Sequence, residues 1–296
     1  MLFNFEGNDN YAEEPYLTRI IVTGASKERG EPINGMTILG NELFISHSDN
    51  SVIEVYHTET FNLGRNLMID GMPYPMDIAS CKIANCLYII FRKDSGSESH
   101  IMKLDPKGQL INKWPSGGYH GRLSTYESNV IVCLVEKQLI HEFNVNGKLI
   151  RTVPLSPAVG FNHPRHAIKV IGNHFAVCHG DIRDKLHRVC IVDAHGTIVA
   201  ELKEWESKIK DGKLNVPVCL VEDSERSILV ADRDSNKIRL LKLQRNLIKQ
   251  EWGLHVDGYP VRLCLDETKT QLFVAANNSS FWKGWTDGRI LKFSIK

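Results

Sequence analysis

Apolar residues along this chain fall into short, near-continuous runs at roughly even spacing. Six of them stand out: Glu42–His47 (ELFISH), Leu87–Arg92 (LYIIFR), Val130–Leu134 (VIVCL), His174–Gly180 (HFAVCHG), Ile228–Asp234 (ILVADRD) and Leu272–Asn278 (LFVAANN). All but the third end in a polar tip. Runs of this length without alternation predict strands covered on both faces. No stretch carries a convincing helical period. Only Lys203–Lys213 offers a helical turn or an insertion loop.

Each run sits inside a larger repeat. Pro32, Pro75, Pro164, Pro217 and Pro260 each precede a short apolar segment, and the gaps between them are 43, 89, 53 and 43 residues. The gap of 89 holds one further unit beginning near Gly121. A period in this range, with four strand-like runs per unit, predicts a propeller of four-stranded antiparallel blades. The unit from Pro75 to Pro115 shows all its parts, the last two runs being joined by Asp105-Pro106-Lys107-Gly108. Asn144–Gly147 and Asp193–Gly196 repeat that hairpin turn, with glycine where a positive φ is required.

Six blades are expected, near residues 32–70, 75–116, 121–155, 164–205, 217–252 and 260–296. The last unit has only three strands of its own. Leu17–Thr23 (LTRIIVT) is strand-like and belongs to no unit, so it is expected to complete the last blade and remove an exposed edge. The repeat leaves a single domain over 17–296, preceded by a flexible segment at 1–16.

Composition narrows the functional classes. A hydrophobic content of 42 % is ample for a packed core, and no apolar run is long enough to span a membrane. The first residues do not read as a secretory signal. Seven cysteines with no C-x-x-C pair, most of them in strand-like runs, point to free core thiols and a cytoplasmic location. With 36 basic and 35 acidic residues the net charge is +1, which removes a global electrostatic argument for nucleic acid.

The segment VADRDSNKIRLLKL (Val230–Leu243) resembles an NHL repeat, with a strand ending in V-x-D, a polar turn with Asn and a basic-aliphatic strand. HRVCIVDAHGTIV, YPVRLCLDETKTQLFVA and WTDGRILKFSIK are similar to the C-terminal NHL propellers of invertebrate tripartite-motif proteins. The resemblance covers 17–296 and is strongest from the fourth unit onward. It implies a platform that binds proteins, or single-stranded or stem-loop RNA. The family's ubiquitin-ligase activity lies in a RING segment, and the residues here contain no paired Cys/His zinc framework.

In this register the proline-led entrances bring Tyr74, Asp77, His120, Arg122, His163, Arg165, His166, Tyr259 and Arg262 to one mouth of a central channel. Loops after the second strands add His47, Asp49, Arg92, Lys93, His179, Asp181, Arg183, Asp232 and Arg233. Arginines beside aromatics suit a protein hot spot or base stacking, and equally a polar channel lining satisfied by water. The mixture of acids and bases favours a protein partner, with RNA as the alternative. Asp232 and Arg233 read as structural groups of their own blade. Asn34, Asp77 and His166 could imitate the channel ligands of a metal-dependent propeller hydrolase or lyase, which is the second alternative. Neither His163-Pro164-Arg165-His166 nor Cys178-His179 has zinc-ligand spacing, and there is no G-x-S-x-G elbow, so no metal, cofactor, small-molecule substrate or catalysis is expected. Phe281, Trp282 and Trp285 fall in an expected loop of the last blade, where they pack over the closure seam or anchor a partner.

Overall fold

A computed structural model describes residues 15–48, 50–94, 98–155, 163–180, 187–202, 213–224, 226–244, 247–266, 268, 270–280 and 285–295. The first elements are β1 (Tyr16–Val22), the short helix α1 (Gly24–Arg29), β2 (Ile33–Leu39), β3 (Glu42–His47), β4 (Val52–His57) and β5 (Leu63–Met68). Next come β6 (Tyr74–Cys81), β7 (Cys86–Arg92), β8 (His100–Leu104), β9 (Leu110–Pro115), β10 (Gly121–Tyr126), β11 (Asn129–Leu134), β12 (Leu139–Phe143) and β13 (Leu149–Pro154). The chain continues through β14 (Pro164–Val170), β15 (His174–His179), β16 (Arg188–Val192), β17 (Ile198–Leu202), β18 (Pro217–Ser224) and β19 (Ser227–Asp232). It ends with β20 (Lys237–Gln244), β21 (Leu247–His255), β22 (Tyr259–Leu265), β23 (Gln271–Ser280) and β24 (Trp285–Ser294).

These strands form four four-stranded sheets and one of eight strands. Three of the former are antiparallel meanders, β2 to β5, β6 to β9 and β10 to β13. The fourth runs β1-β24-β23-β22, with Tyr16 opposite Ser294 and Val22 opposite Arg289, so the expected closing strand joins the two ends of the chain. The eight-stranded sheet departs from the expectation of separate four-stranded units. Its two sets, β14 to β17 and β18 to β21, are joined where Glu201 and Leu202 pair in parallel with Leu247 and Ile248. The physical reason is an unpaired outer edge: β17 presents free backbone groups, and the start of β21 lies alongside to take them.

The apolar runs become the second strands, and their burial explains their lack of alternation. Leu87 to Phe91, Val130 to Leu134, Phe175 to Cys178 and Ile228 to Ala231 are all fully buried. Each lies between its neighbours' faces, so both sides of the strand contact protein. Tyr88, Phe44, Phe91, Phe175 and Phe273 are the largest of the second-strand side chains.

The three repeated hairpin turns share one geometry. In each, the opening Asp or Asn accepts from the backbone N–H two and four residues on: Asp105 from Lys107 and Gln109, Asn144 from Asn146 and Lys148, Asp193 from His195 and Thr197. Gly108, Gly147 and Gly196 take φ of 86°, 80° and 82°, and a bulge interrupts the ladder beside each turn.

Two expectations need correction. Helix α1 was not foreseen, because its N-cap Thr23 makes no side-chain cap bond. Its free N–H groups are instead taken by a distant strand: Ala25 donates to Glu54 Oε1 at 2.7 Å and Gly24 to the Tyr56 hydroxyl at 3.0 Å. Trp285, expected in a loop, begins β24 opposite Ser280, while Phe281 and Trp282 lie outside the described residues. So do residues 1–14 and 203–212. No helix among the described residues is long and apolar enough to cross a membrane.

Two measurements check this packing. Phe175→Ala should cost about 3–5 kcal/mol by urea unfolding, since the ring has no exposed surface and leaves a cavity between sheets. All seven cysteines are free and buried, and burial pushes the thiols of Cys133 and Cys190 up to about 12. A thiol-specific reagent at neutral pH should therefore label none in the native chain and all seven in denaturant; rapid labelling of the native chain would contradict the packing.

Candidate functional site

Six strands, β2, β6, β10, β14, β18 and β22, lie innermost, each against the next and β22 against β2, so that they close a ring. They enclose a central cavity of about 230 Å³ whose wall takes residues from all six. A second cavity of about 370 Å³ shares Thr37, Ser80, Thr125, Val221, Glu222 and Cys264 with it, and opens where the inner strands end.

The prolines act through backbone register. Pro75, Pro164, Pro217 and Pro260 each pair as an early residue of an inner strand, and the ladder skips one residue immediately after each. Ile33, not Pro32, holds that place in β2, and β10 starts at Gly121 without a skip. Proline suits the position because its ladder bond is already absent, and the bulge re-aims the side chain that follows. Five bulges therefore set Gly35, Asp77, His166, Cys219 and Arg262 at one level of the ring.

At that level the side chains bond to one another. Asp77 and Arg262 are buried, with Arg262 Nε 2.8 Å from Asp77 Oδ1. The same carboxylate accepts the N–H of Ile78 at 3.1 Å and of Leu123 at 2.9 Å. Arg262 Nη1 donates to the Val261 carbonyl at 2.6 Å. Burial opposes the charge on Arg262, but Asp77 more than offsets it, and the guanidinium pKa lies above its ordinary value. The pair spans β2, whose residue here is Gly35. A Cβ on Gly35 would come within 2.7 Å of the Ile78 backbone nitrogen, so only glycine leaves room.

His166 is held as a neutral ring. The Leu220 N–H donates to its Nδ1 at 3.1 Å, which leaves Nε2 protonated to donate to the Leu123 carbonyl at 3.0 Å. Burial first, and the nearby arginines after it, push its pKa down to about 4 against the opposing pull of Asp77. Arg122 reaches over this level and donates to the carbonyls of Asn34, at 3.2 Å, and Met76. Desolvation and the Arg262 charge lower its pKa to about 9.

The sequence-derived mouth thus divides in two. Asp77, His166 and Arg262 lie within the ring, with Arg122 above them. Their burial is what the sequence could not show. Cys219 belongs to the same level; its place two residues after Pro217 marks it, but its chemistry did not draw attention. Of the others, His47, His179 and Asp232 are buried, while Tyr74, Tyr259, His120, Arg165 and Arg233 lie further out. Tyr74 and Tyr259 are 43 % and 37 % exposed. His120 is exposed, 3.1 Å from Arg92 Nη1 and 3.8 Å from Glu136. Arg165 donates to the Gly180 carbonyl at 2.9 Å, and the His163 carbonyl accepts the Gly180 N–H. Arg233 pairs with Asp234 at 2.6 Å. Asp49, Asp181 and Arg183 lie outside the described residues.

Asn34, Asp77 and His166 do not converge as a ligand set. The Asn34 amide donates to the Pro75 carbonyl, and both His166 nitrogens are occupied by backbone. Among the described residues no group of three or more His, Cys, Asp or Glu stands close enough to hold a metal ion.

Asp232, read as a structural residue, accepts the Asn215 N–H at 2.7 Å and pairs with Arg239 Nε at 2.7 Å, both side chains being buried. Arg239 continues to Gln250 and the Lys213 carbonyl. In the first sheet the equivalent positions hold His47 and Glu54, 3.4 Å apart and bonded on to Tyr56 and α1. The acid and base have exchanged strands while the tie between second and third strands is kept.

No protein-family model and no curated protein matches the chain. Solved structures do. The RRP9 WD40 repeats superpose with a TM-score of 0.64 at 10 % identity, covering 96 % of this chain and 99 % of that one. The Cps50 (Swd1) β-propeller domain of Myceliophteria thermophila gives 0.60 at 13 % identity, covering 95 % and 100 %. This chain is a β-propeller. Kuenenia stuttgartiensis hydrazine synthase is also similar, with a TM-score of 0.57 at 11 % identity over 89 % of this chain and 96 % of that one. At such identities the propeller likeness is one of fold, and chemistry has to be read from the channel and its rim.

The channel layer makes the propeller's stability depend on pH. An unfolded His166 takes up its proton near 6.5, whereas the folded ring resists it down to about 4. Between those values the unfolded state binds more protons, so stability falls as pH drops from 6.5 to 4 and is fully present above 6.5. The loss from this residue is on the order of 3 kcal/mol. Burial likewise lowers the pKa of His141 and His120, which act in the same direction. Urea unfolding at several pH values should show a shallower acid loss for His166→Gln than for the wild type.

Proposed function

We propose that this chain is a six-bladed, NHL-like propeller that serves as a non-catalytic docking platform for protein partners, through the rim where its inner strands begin. The closed ring of six inner strands supports six repeating units, with the eight-stranded sheet read as two blades joined at their outer edges. The buried Asp232–Arg239 tie supports the NHL likeness of the fifth unit, since the Asp of VADRDSNKIRL bonds across to that unit's third strand and down to its entry loop. Seven reduced, buried thiols support a reducing compartment such as the cytoplasm.

The observation that carries the docking reading is the character of the rim. Tyr74, Tyr119 and Tyr259 are exposed there as large apolar groups with a polar end. The cations around them are already engaged: Arg233 with Asp234, Arg289 with Asp257, Arg92 beside His120 and Glu136, and Arg122 turned inward to carbonyls. Exposed tyrosines among cations that already hold protein partners suit protein recognition, whereas a phosphate backbone needs a run of uncommitted cations. The occupied nitrogens of His166 in the channel support the non-catalytic reading.

The test is an affinity capture with the purified chain against Tyr74→Ala/Tyr259→Ala, together with a random RNA pool at two salt concentrations. A protein retained by the wild type and lost from the folded double variant is the expected result, with no RNA retained. Salt-sensitive RNA retention that disappears on replacing Arg165 and Arg233 would displace the protein reading in favour of RNA.

A further inference from the structure

We propose that the outer flank of the second and third units is a docking surface for an anionic lipid bilayer, through two exposed leucine–isoleucine pairs set among lysines. The surface is separate from the rim, so the inference does not depend on what docks there. It begins with the outer strands, each of which opens on apolar residues: Tyr16-Leu17, Leu63-Gly64, Leu110-Ile111, Leu149-Ile150, Ile198-Val199 and Leu247-Ile248. Where β17 and β21 pair, these residues are covered: Ile248 is buried, and Ile198, Val199 and Leu247 are half-buried. On the second and third units they are not. Leu110 and Ile111 are 58 % and 54 % exposed, and Leu149 and Ile150 are 44 % and 50 % exposed. Ile111 and Ile150 are the extra residues of the bulges beside the turns, so each strand leaves two successive side chains in water. The two pairs belong to one patch. The Asn112 amide donates to the Asn146 carbonyl at 3.0 Å, which brings the turn before Leu149 against the strand that starts at Leu110. Four aliphatic side chains gathered on adjacent units differ from the single apolar residues that any surface carries.

Lysines surround the patch. Lys107 precedes Leu110 by three residues and Lys148 stands next to Leu149, and both are exposed. Lys103 lies beneath the second of the two turns, its ammonium 3.3 Å from the Val145 carbonyl, a neutral acceptor. The one carboxylate in these turns, Asp105, is turned in to the N–H groups of Lys107 and Gln109. The corresponding residue of the third unit is the neutral Asn144. Farther along, Lys113 lies over the Phe91 ring, and Arg151 and Lys169 share the buried Glu142. Residues 100–115 and 139–154 together hold five cations, Lys103, Lys107, Lys113, Lys148 and Arg151, against two carboxylates, Asp105 and Glu142. The fourth unit has no such bias, since its turn carries Asp193 and no lysine.

Composition selects the occupant. Protein interfaces are enriched in aromatic residues and arginine and depleted in lysine, as the tyrosine-bearing rim exemplifies, whereas this patch is leucine, isoleucine and lysine. Aliphatic side chains beside lysines suit a bilayer surface: the apolar groups enter beneath the headgroups, and the long ammonium stems reach back to the lipid anions. Anionic lipid is concentrated in the cytoplasmic leaflet, the side that the seven free thiols support. With so few apolar groups the contact is reversible, and charge contributes a large share of it.

Sedimentation of the full chain with vesicles tests the surface, using phosphatidylcholine alone and phosphatidylcholine with about a third phosphatidylserine. Binding to the anionic vesicles is expected to exceed that to the neutral ones about tenfold or more, and to weaken as salt rises. Ile111→Ser/Ile150→Ser removes apolar surface at exposed positions, and Lys107→Gln/Lys148→Gln removes charge. Each double variant should keep the wild-type Tm and lose about tenfold or more in affinity for anionic vesicles. Tyr74→Ala/Tyr259→Ala should bind vesicles as the wild type does, which separates failure on the flank from failure at the rim. No sedimentation with anionic vesicles would overturn the proposal, as would binding that survives both flank variants. A protein retained by the wild type and lost from the isoleucine variant, with no vesicle binding by either, would assign the patch to a protein instead.

Discussion

The ion pair between Asp77 and Arg262 crosses a strand to join residues 185 positions apart, and the centre of the molecule is arranged around it. It exists because three conditions are met together. Bulges after Pro75 and Pro260 turn both side chains to one level, Gly35 on the strand between them carries no side chain, and two backbone N–H groups complete the carboxylate. Removing either partner alone would leave a buried charge uncompensated, at a cost of about 3–5 kcal/mol. The pair is therefore a constraint on register as much as a source of stability, since a slip of one residue in either strand would take a charge out of the layer and into apolar packing.

Around this centre two of the units keep a polar tie of their own. The fifth unit uses a buried acid–base pair, Asp232 with Arg239, between its second and third strands, and the first uses the reversed pair, His47 with Glu54. That reversal explains why the first unit looks degenerate as sequence. A pattern match looks for Asp followed by a basic strand, whereas the physical requirement is only opposite polarity at two diagonal positions on adjacent strands. Glu54 then serves a further purpose: with Tyr56 it supplies the acceptors for the free N–H groups of α1, which is how a six-residue helix persists without a side-chain N-cap of its own.

The rim and the channel are built from the same short segments, and neighbouring residues in sequence go to opposite fates. Tyr74 faces solvent while Asp77 is buried; Tyr259 faces solvent while Arg262 is buried. Arg165 stays near the surface and His166 enters the ring. One bulge per strand makes this separation, and no residue type announces it.

The repeat, the second strands, the turn chemistry and the closing strand follow from the order of residues alone. These depend on local rules: a continuous apolar run needs two covered faces, an Asx residue bonds the amides that follow it, and a glycine supplies a positive φ. Which charged residues meet, which of them are buried, and where two outer edges join are settled in three dimensions. Those outcomes depend on register between strands far apart in the chain. A shift of one residue there exchanges solvent for core, because side chains alternate across a strand while the sequence of types stays the same.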